Sequence, residues 1–218
     1  MLIEIVLIAV ILILVLFYIM NKKFQGNLIK IMQNKLFAKD IDIIFHGRKI
    51  LLNAGSHPPT EDTVFFYKNL KDRLNGNVLE IGTGTGVFPI LVGSKGIAWT
   101  CTDIDKKAID NAGINFNRNE VTARTVLSNV FDSVNEKYDY IIWNFPYIVG
   151  SKEIMKKFIC GLKMYLKDGG TAYISSSIIM KLKYADFEKD CEKLNIKRKI
   201  IARGYYFFVP IIVYELKF

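Results

Sequence analysis

The sequence predicts an α/β fold with a mostly parallel sheet and helices on both of its faces. The first observation is a short apolar strand, Val78–Ile81, which ends in glycines at alternate positions before a segment that can open a helix. The second is an alternation of strand-like and helix-like segments from residue 76 to residue 218. The third is the run Asn144-Phe145-Pro146-Tyr147, directly after a buried strand. Ligands of such folds bind at the carboxyl ends of the strands.

The amino-terminal segment predicts a membrane anchor. Leu2–Met20 is an apolar run broken only by Glu4, and at about 1.5 Å per residue it spans roughly 28 Å, close to the hydrocarbon thickness of a bilayer. Lysines follow the run and none precedes it, so the positive-inside rule predicts that the rest of the chain is cytoplasmic. A cleaved signal peptide is the alternative, but the run lacks a basic start and a small-residue cleavage site.

Three parts are therefore predicted: an anchor over residues 1–21, a basic amphipathic linker over residues 22–56, and one α/β domain over residues 57–218. The net charge of +9 indicates an anionic partner, either nucleic acid or the inner face of a membrane. Cys101, Cys160 and Cys191 are widely spaced within apolar or helical patterns, which predicts buried reduced thiols. We expect no metal site. The oligomeric state is left open.

The other elements are predicted in chain order from hydrophobic periodicity and from the capping and turn residues at the ends of each segment. Ile41–Phe45 is strand-like, and Thr60 is a predicted N-cap for a helix over Val64–Leu74, with Glu61 and Asp62 in the first turn. Further strands are predicted at Gly96–Thr102, Val121–Ser128, Tyr138–Trp143, Thr171–Ser176, Ile196–Ala202 and Tyr205–Leu216. Further helices are predicted at Lys106–Asn117, Lys152–Leu166 and Ile179–Leu194, with turns at Lys167–Gly170 and around Arg203-Gly204.

The glycines and the following acids indicate a nucleotide-type ligand. Gly82, Gly84 and Gly86 permit positive φ angles and let the backbone approach a ligand closely. Asp103 lies twenty-one residues after Gly82, at the end of the second predicted strand of this alternation, where a carboxylate meets ribose hydroxyls. Asp105 is the predicted N-cap of the next helix. A glycine-rich turn alone is weak support, but the turn and the acid together favour a nucleotide site.

The run from Asn144 to Tyr147 predicts chemistry as well as binding. An Asn side-chain oxygen and the next backbone carbonyl can accept both hydrogens of a planar NH₂ group, and a Tyr ring can stack on its face. These contacts draw the nitrogen lone pair out of the plane and aim it at a methyl donor. In isolation an Asn-x-Pro run would be a turn that ends a strand. Its place after a buried strand favours catalysis.

Three stretches carry a family resemblance: Val78–Gly86, Asp103–Ala108 and Phe131–Ile148. They resemble class I S-adenosylmethionine-dependent methyltransferases, and more closely the PrmC/HemK group of protein glutamine methyltransferases. Pro59–Thr63 also resembles a segment with which these enzymes help to cover cofactor and substrate. The resemblance implies a Rossmann-like fold with a seven-stranded sheet and a C-terminal antiparallel hairpin, and S-adenosyl-L-methionine as cofactor. It implies cofactor contacts from Glu80, Gly82, Thr83, Gly84, Gly86, Asp103, Ile104, Asn129, Val130 and Thr60.

Two residues depart from that group's pattern. Phe145 stands where the group has Pro, which makes the run equally similar to the Asn-Leu-Pro-Tyr of rRNA adenine dimethyltransferases. Asn129 stands where an Asp commonly meets the cofactor adenine, although an amide can still form a hydrogen bond there.

The expected activity is in-line transfer of the sulfonium methyl to a planar conjugated nitrogen, with a glutamine or asparagine side-chain amide of a protein as the acceptor. Asn144 and the Phe145 carbonyl would orient the nitrogen, and Tyr147 would stack on it. No strong base is required, so His46 and His57 are expected to be structural. Two alternatives stay open: an RNA or DNA adenine methyltransferase, which the positive charge favours, and a non-catalytic cofactor-binding membrane scaffold.

Overall fold

The structure of the chain is a computed structural model that describes residues 39–54, 56, 58–145, 151–177, 186–206 and 209–218. The expected anchor, Leu2–Met20, and the expected linker up to residue 38 lie outside the described residues. Among the helices that are described, none combines the length and the apolar character needed to cross a membrane.

A seven-stranded sheet forms the centre of the described domain, and a two-stranded hairpin precedes it. The strands are β1 (Ile41–Phe45), β2 (Arg48–Leu52), β3 (Gly76–Ile81), β4 (Ile97–Asp103), β5 (Ala123–Leu127), β6 (Tyr138–Asn144), β7 (Leu166–Ser177), β8 (Lys197–Tyr206) and β9 (Val209–Lys217). The helices are α1 (Glu61–Leu70), α2 (Val87–Val92), α3 (Lys106–Arg118), α4 (Lys152–Tyr165) and α5 (Phe187–Lys193).

The strands of the large sheet lie in the order β5-β4-β3-β6-β7-β9-β8. Strands β3 to β7 run parallel, and β9 pairs antiparallel with both β7 and β8. The predicted mostly parallel sheet with a C-terminal antiparallel hairpin is therefore confirmed. From β3 the chain first adds strands on one side and then crosses to β6 on the other. In open α/β sheets ligands bind where the strand order reverses in this way, which is here outside the carboxyl ends of β3 and β6.

Alternating side chains of the sheet pack into two hydrophobic cores, one on each face. In β6, Ile141 points into the core formed with α4 and α5, and Ile142 points into the core formed with α1, α2 and α3. Both are fully buried. Phe158 of α4 and Phe66 of α1 are central members of the two cores. Complete burial of such side chains contributes about 1.5–3 kcal/mol each, so the central strands are fixed from both faces.

The hairpin β1–β2 packs against α3. His46 and Gly47 join its strands with positive φ angles, +48° and +78°, as in the two-residue turn that matches strand twist. Asn115, which is fully buried, accepts the Leu51 N–H at 2.7 Å and donates to the Leu51 carbonyl at 2.9 Å. Asn111 donates to the same carbonyl at 2.9 Å. Residues from the expected linker thus share the core of the domain.

Two predicted turns are wrong. The stretch Lys167–Gly170 is an irregular insertion within β7, because Tyr138 pairs with Leu166 and Tyr140 with Thr171. Strand β8 continues through Gly204, where an added Cβ would lie 2.5 Å from the Phe65 ring. That glycine makes room for a side chain of α1 instead of forming a turn.

The predicted helices also need correction. Helix α1 begins at Glu61, as the predicted N-cap Thr60 requires, but it ends at Leu70 and not at Leu74. Asp105 also occupies its predicted N-cap position. Of the helix expected over Ile179–Leu194, residues 178–185 lie outside the described part. Cys160 is exposed on the outer face of α4, so the expectation of three buried thiols is wrong; Cys101 and Cys191 are buried, and all three are free thiols.

Candidate active site

The glycine-rich turn joins β3 to α2 at the carboxyl end of the central strand. Gly82, Gly84 and Gly86 have φ angles of +68°, +56° and +75°, where a side chain costs roughly 1–2 kcal/mol. An added Cβ at Gly86 would lie 2.7 Å from the Phe116 ring, so this glycine allows α3 to pack closely. At Gly84 an added Cβ would meet no atom of the described residues within 4 Å. The turn therefore leaves open space beside Gly84, as a ligand cradle requires.

Glu80 is a carboxyl group buried just before this turn. Only 6% of the residue is exposed, and Thr83 Oγ1 donates a hydrogen bond to Glu80 Oε2 at 2.6 Å. Burial raises the pKa of Glu80 to about 8, against the opposing effect of the Thr83 hydrogen bond and of a second one from the Cys101 thiol. A positively charged ligand group beside the carboxyl would lower this pKa again, and the proton would then leave to solvent.

Asp103 ends β4 and reaches the glycine-rich turn. Its Oδ2 accepts the Gly84 N–H at 3.0 Å, and its Oδ1 accepts the Asp105 N–H at 3.0 Å. Burial raises the pKa of Asp103, and these backbone hydrogen bonds partly offset the rise. Each carboxylate oxygen keeps a further lone pair for a hydroxyl donor. Ile104, which is 67% exposed, presents an apolar side chain beside it.

The loop after β5 has an uncommon backbone conformation. Val130 is buried and has a φ angle of +58°, which is rare for a β-branched residue. The Ser128 hydroxyl holds the loop, because it donates to the Val130 carbonyl at 3.1 Å and accepts the Ser133 N–H at 3.0 Å. The Ser128 N–H donates to the Asp103 carbonyl at 2.8 Å. Asn129 therefore lies half-buried at the same edge of the sheet as Asp103.

Asn144 ends β6 and lies across from Gly82, since β3 and β6 are paired neighbours in register. Its side-chain oxygen Oδ1 accepts a hydrogen bond from the hydroxyl of Ser175, on β7. Its side-chain nitrogen Nδ2 donates to Thr63 Oγ1, on α1, at 3.3 Å. Both ends of the amide are held by elements outside β6.

The next residue, Phe145, contributes its backbone to this place and its ring to the core. Only 1% of Phe145 is exposed, and its ring lies edge-on to Trp143 with centroids 4.8 Å apart. Its N–H donates to Ser175 Oγ at 3.2 Å. Pro146 and Tyr147 lie outside the described residues.

Thr60 lies at the start of α1 and bonds within its own turn. Its hydroxyl donates to the carboxylate of Asp62, and Asp62 Oδ1 also accepts the Thr63 N–H at 2.8 Å. Of the two threonines at the start of α1, Thr63, three residues further on, is the one whose hydroxyl contacts Asn144.

The structure thus brings together the glycine-rich turn, Asp103, Asn129 and Asn144 at the carboxyl ends of four neighbouring strands. Sequence reasoning missed Thr63 and Ser175. The sequence does contain a signal for Ser175. It is the first of three consecutive serines at the end of an apolar strand, a position like that of Asn144 after its own apolar strand. Thr63 belongs to the stretch Pro59–Thr63, whose resemblance implied a place near cofactor and substrate, but nothing in the sequence distinguished it from its neighbours in that stretch.

Residues 60–200 match the family described as methyltransferase small domain, more than half of the chain. The chain belongs to this family. A Methanocaldococcus jannaschii protein named as a protein N5-glutamine methyltransferase is 34% identical over 155 residues, which cover 62% of this chain and 79% of that protein. Ribosomal RNA small subunit methyltransferase C of Haemophilus ducreyi is 30% identical over 115 residues, which cover 50% of this chain and 35% of that protein.

The fold is also that of solved methyltransferases. A methyltransferase from Pyrococcus furiosus superposes with a TM-score of 0.65 at 23% identity, over 88% of this chain and 98% of that one. The chain is therefore an S-adenosylmethionine-dependent methyltransferase with a Rossmann-like fold. This finding confirms the resemblance that the three sequence stretches indicated.

The residues present fit the cofactor S-adenosylmethionine. The space beside Gly84 is open, and the buried Glu80 carboxyl suits a cationic amino group. The Asp103 carboxylate suits vicinal hydroxyls, and Ile104 offers an apolar surface next to it. Together these protein groups match the amino acid, the ribose and the aromatic base that S-adenosylmethionine combines in one molecule.

Proposed function

We propose that this enzyme transfers a methyl group to a planar, conjugated nitrogen, and that its acceptor is a glutamine or asparagine side-chain amide of a protein. The observation that carries this proposal is the amide of Asn144, which lies across from the glycine-rich turn and is held at both of its ends. The relative named as an N5-glutamine methyltransferase, which the chain covers over 79% of its length, supports the choice of acceptor.

Asn144 Oδ1 accepts one N–H of the acceptor amide through the lone pair that Ser175 does not use. The Phe145 carbonyl accepts the second N–H, and the Tyr147 ring stacks on the amide plane. These contacts orient the nitrogen lone pair out of conjugation and toward the donor carbon. A well-aligned pair of reactants saves roughly 7–11 kcal/mol of activation free energy, so positioning supplies most of the acceleration. The acceptor proton leaves after transfer, and no strong base is needed.

The cofactor supplies an electrophilic methyl group on a positively charged sulfur. In this proposal the Glu80 carboxylate and the glycine-rich turn hold its methionine end. Asp103 binds the ribose hydroxyls, and Asn129 bonds to the adenine. Thr60 contributes through the segment that leads into α1 and not through a direct contact.

We further propose that Leu2–Met20 anchors the enzyme to a membrane with the catalytic domain on the cytoplasmic side. The length of the apolar run and the lysines that follow it support this arrangement. A tether restricts the enzyme to acceptors at or near the membrane surface.

Adenine in a nucleic acid is the second candidate acceptor, favoured by the net charge of +9 and by the relative named as a ribosomal RNA methyltransferase. Three of the five lysines on and beside α4 form ion pairs with acids, which weakens the case for a phosphate-binding face there. Ion pairs join Lys152 to Asp186, Lys157 to Asp132 and Lys167 to Asp139.

Isotope transfer tests the proposal. Methyl-labelled S-adenosylmethionine is added to a membrane-containing lysate from cells that lack this gene, with either the wild-type chain or Asn144→Ala. The label is then divided by protease, nuclease and lipid extraction. Asn144-dependent label that protease removes is the expected result. Label that nuclease removes would favour adenine, and absence of Asn144-dependent label with the cofactor still bound would favour the scaffold.

A further inference from the structure

Three elements converge on the Asn144 side chain. Ser175, 2% exposed on β7, donates its hydroxyl hydrogen to Asn144 Oδ1. Thr63, on α1, accepts a hydrogen from Asn144 Nδ2 at 3.3 Å. The two contacts join residues that are 31 and 81 positions apart in the chain, so neither arises from local sequence.

The direction of these hydrogen bonds is set by the backbone. The Phe145 N–H donates to Ser175 Oγ at 3.2 Å, so the Ser175 oxygen already serves as an acceptor. Its single hydroxyl hydrogen then goes to Asn144 Oδ1. A flipped Asn144 amide would place its NH₂ group against Ser175 and leave that buried hydroxyl hydrogen without this acceptor. The arrangement therefore favours one orientation of the amide.

We propose that Ser175 and Thr63 are positioning residues that hold the Asn144 amide with its oxygen available to the acceptor nitrogen. A flipped amide would present N–H groups to an acceptor that itself carries N–H groups, and no hydrogen bond would form. This role rests on the proposed function, in which Asn144 orients a planar NH₂ group. It applies to an amide or an adenine acceptor alike.

This role is tested by adding the chain, purified in detergent, to the lysate of the isotope experiment. The quantity measured is the initial rate of Asn144-dependent methyl transfer. We expect Ser175→Ala and Thr63→Val each to lower the rate about tenfold, as the loss of one hydrogen bond at a reacting group does, with the S-adenosylmethionine Kd within about twofold of wild type. Thr63→Ser, which keeps the hydroxyl, should retain the wild-type rate.

Ser176→Ala is the matched control. Ser176 is the next residue on β7, is 1% exposed, and donates its hydroxyl to the Ser177 carbonyl within the same strand. Its loss should leave the rate unchanged. In the Asn144→Ala background, Ser175→Ala should cause no further loss of the residual total label in the protein fraction. Equal losses in Ser175→Ala and Ser176→Ala, or a further loss in that background, would overturn the positioning role.

Nuclear magnetic resonance adds a readout that needs no acceptor. In the chain labelled with ¹⁵N at asparagine, the side-chain NH₂ signals of Asn144 are identified by their loss in Asn144→Ala. Ser175→Ala and Thr63→Val should shift these signals, and Ser176→Ala should not. Unchanged signals in Ser175→Ala overturn the proposal. Methyl transfer that depends on Asn144 but not on Ser175 overturns this role alone, whereas absence of Asn144-dependent transfer to any acceptor overturns the proposed function as well.

Discussion

Two glycines of the same turn should respond differently to alanine, because one leaves space for the cofactor and the other leaves space for a helix. Gly84 and Gly86 both have positive φ angles, so alanine costs about 1–2 kcal/mol of folding free energy at either. At Gly86 the new methyl group would also lie 2.7 Å from Phe116 and 3.2 Å from Ala112 Cβ. Such overpacking adds about 1–3 kcal/mol. At Gly84 none of the residues that the structure describes lies within 4 Å of the new methyl group.

Urea unfolding and calorimetric titration with S-adenosylmethionine separate the two effects. We expect Gly86→Ala to lose about 2–5 kcal/mol of stability. Gly84→Ala should lose only the about 1–2 kcal/mol that a positive φ angle costs alanine. It should bind the cofactor at least about tenfold more weakly, because its methyl group projects into the space left for the cofactor. Gly96→Ala is a control, since Gly96 has a φ angle of +72° and open space but lies away from the turn. Wild-type cofactor affinity in Gly84→Ala would refute the assignment of the cradle.

Two further variants probe the buried polar groups near this turn. Because folding raises the pKa of Glu80 from 4.5 to about 8, the folded cofactor-free chain binds a proton that the unfolded chain lacks across that pH range. The free energy of unfolding of the wild type should therefore fall with rising pH, by up to about 1.4 kcal/mol per pH unit relative to Glu80→Gln. Urea unfolding at several pH values measures this, and the same pH dependence in both proteins would contradict it. The Asn115 side chain forms hydrogen bonds with the Leu51 backbone and the Thr85 carbonyl. Asn115→Ala should therefore lower the free energy of unfolding by about 3 kcal/mol or more, measured by thermal or urea unfolding. Asn117 is exposed on the same helix, so Asn117→Ala should change that free energy by no more than about 0.5 kcal/mol. Equal losses would contradict the role of Asn115.

The parts of the site that the sequence predicts are those fixed by local chemistry. The glycine-rich turn requires positive φ angles, and residues with a side chain seldom adopt them. Asp105 caps α3 because its carboxylate reaches the Lys107 N–H two residues away, at 2.9 Å. Asp103 and Asn144 follow apolar strands, and the carboxyl ends of parallel strands share one edge of the sheet.

The parts that it does not predict depend on tertiary packing. The sequence pattern predicts Asn115 to be a polar surface residue of a helix, yet it is fully buried. Its side chain forms hydrogen bonds with the N–H and the carbonyl of Leu51, in a hairpin more than sixty residues away. Gly204 reads as a turn residue, yet it lies within β8 because a ring of α1 occupies the space of its side chain. Thr63 contacts Asn144 only because the fold brings the first turn of α1 to the carboxyl end of β6. No window of local sequence contains these pairings.

The identity of the nitrogen that receives the methyl group can be tested directly, through the chemistry of an N-methyl amide. Protein labelled in the isotope experiment is purified and hydrolysed in strong acid, and volatile products are collected. Hydrolysis of an N-methylated side-chain amide releases methylamine. If the acceptor is a side-chain amide, labelled methylamine is released, and its amount depends on Asn144. Label that stays on an amino acid after hydrolysis, or that was lost with nucleic acid before it, would contradict an amide acceptor.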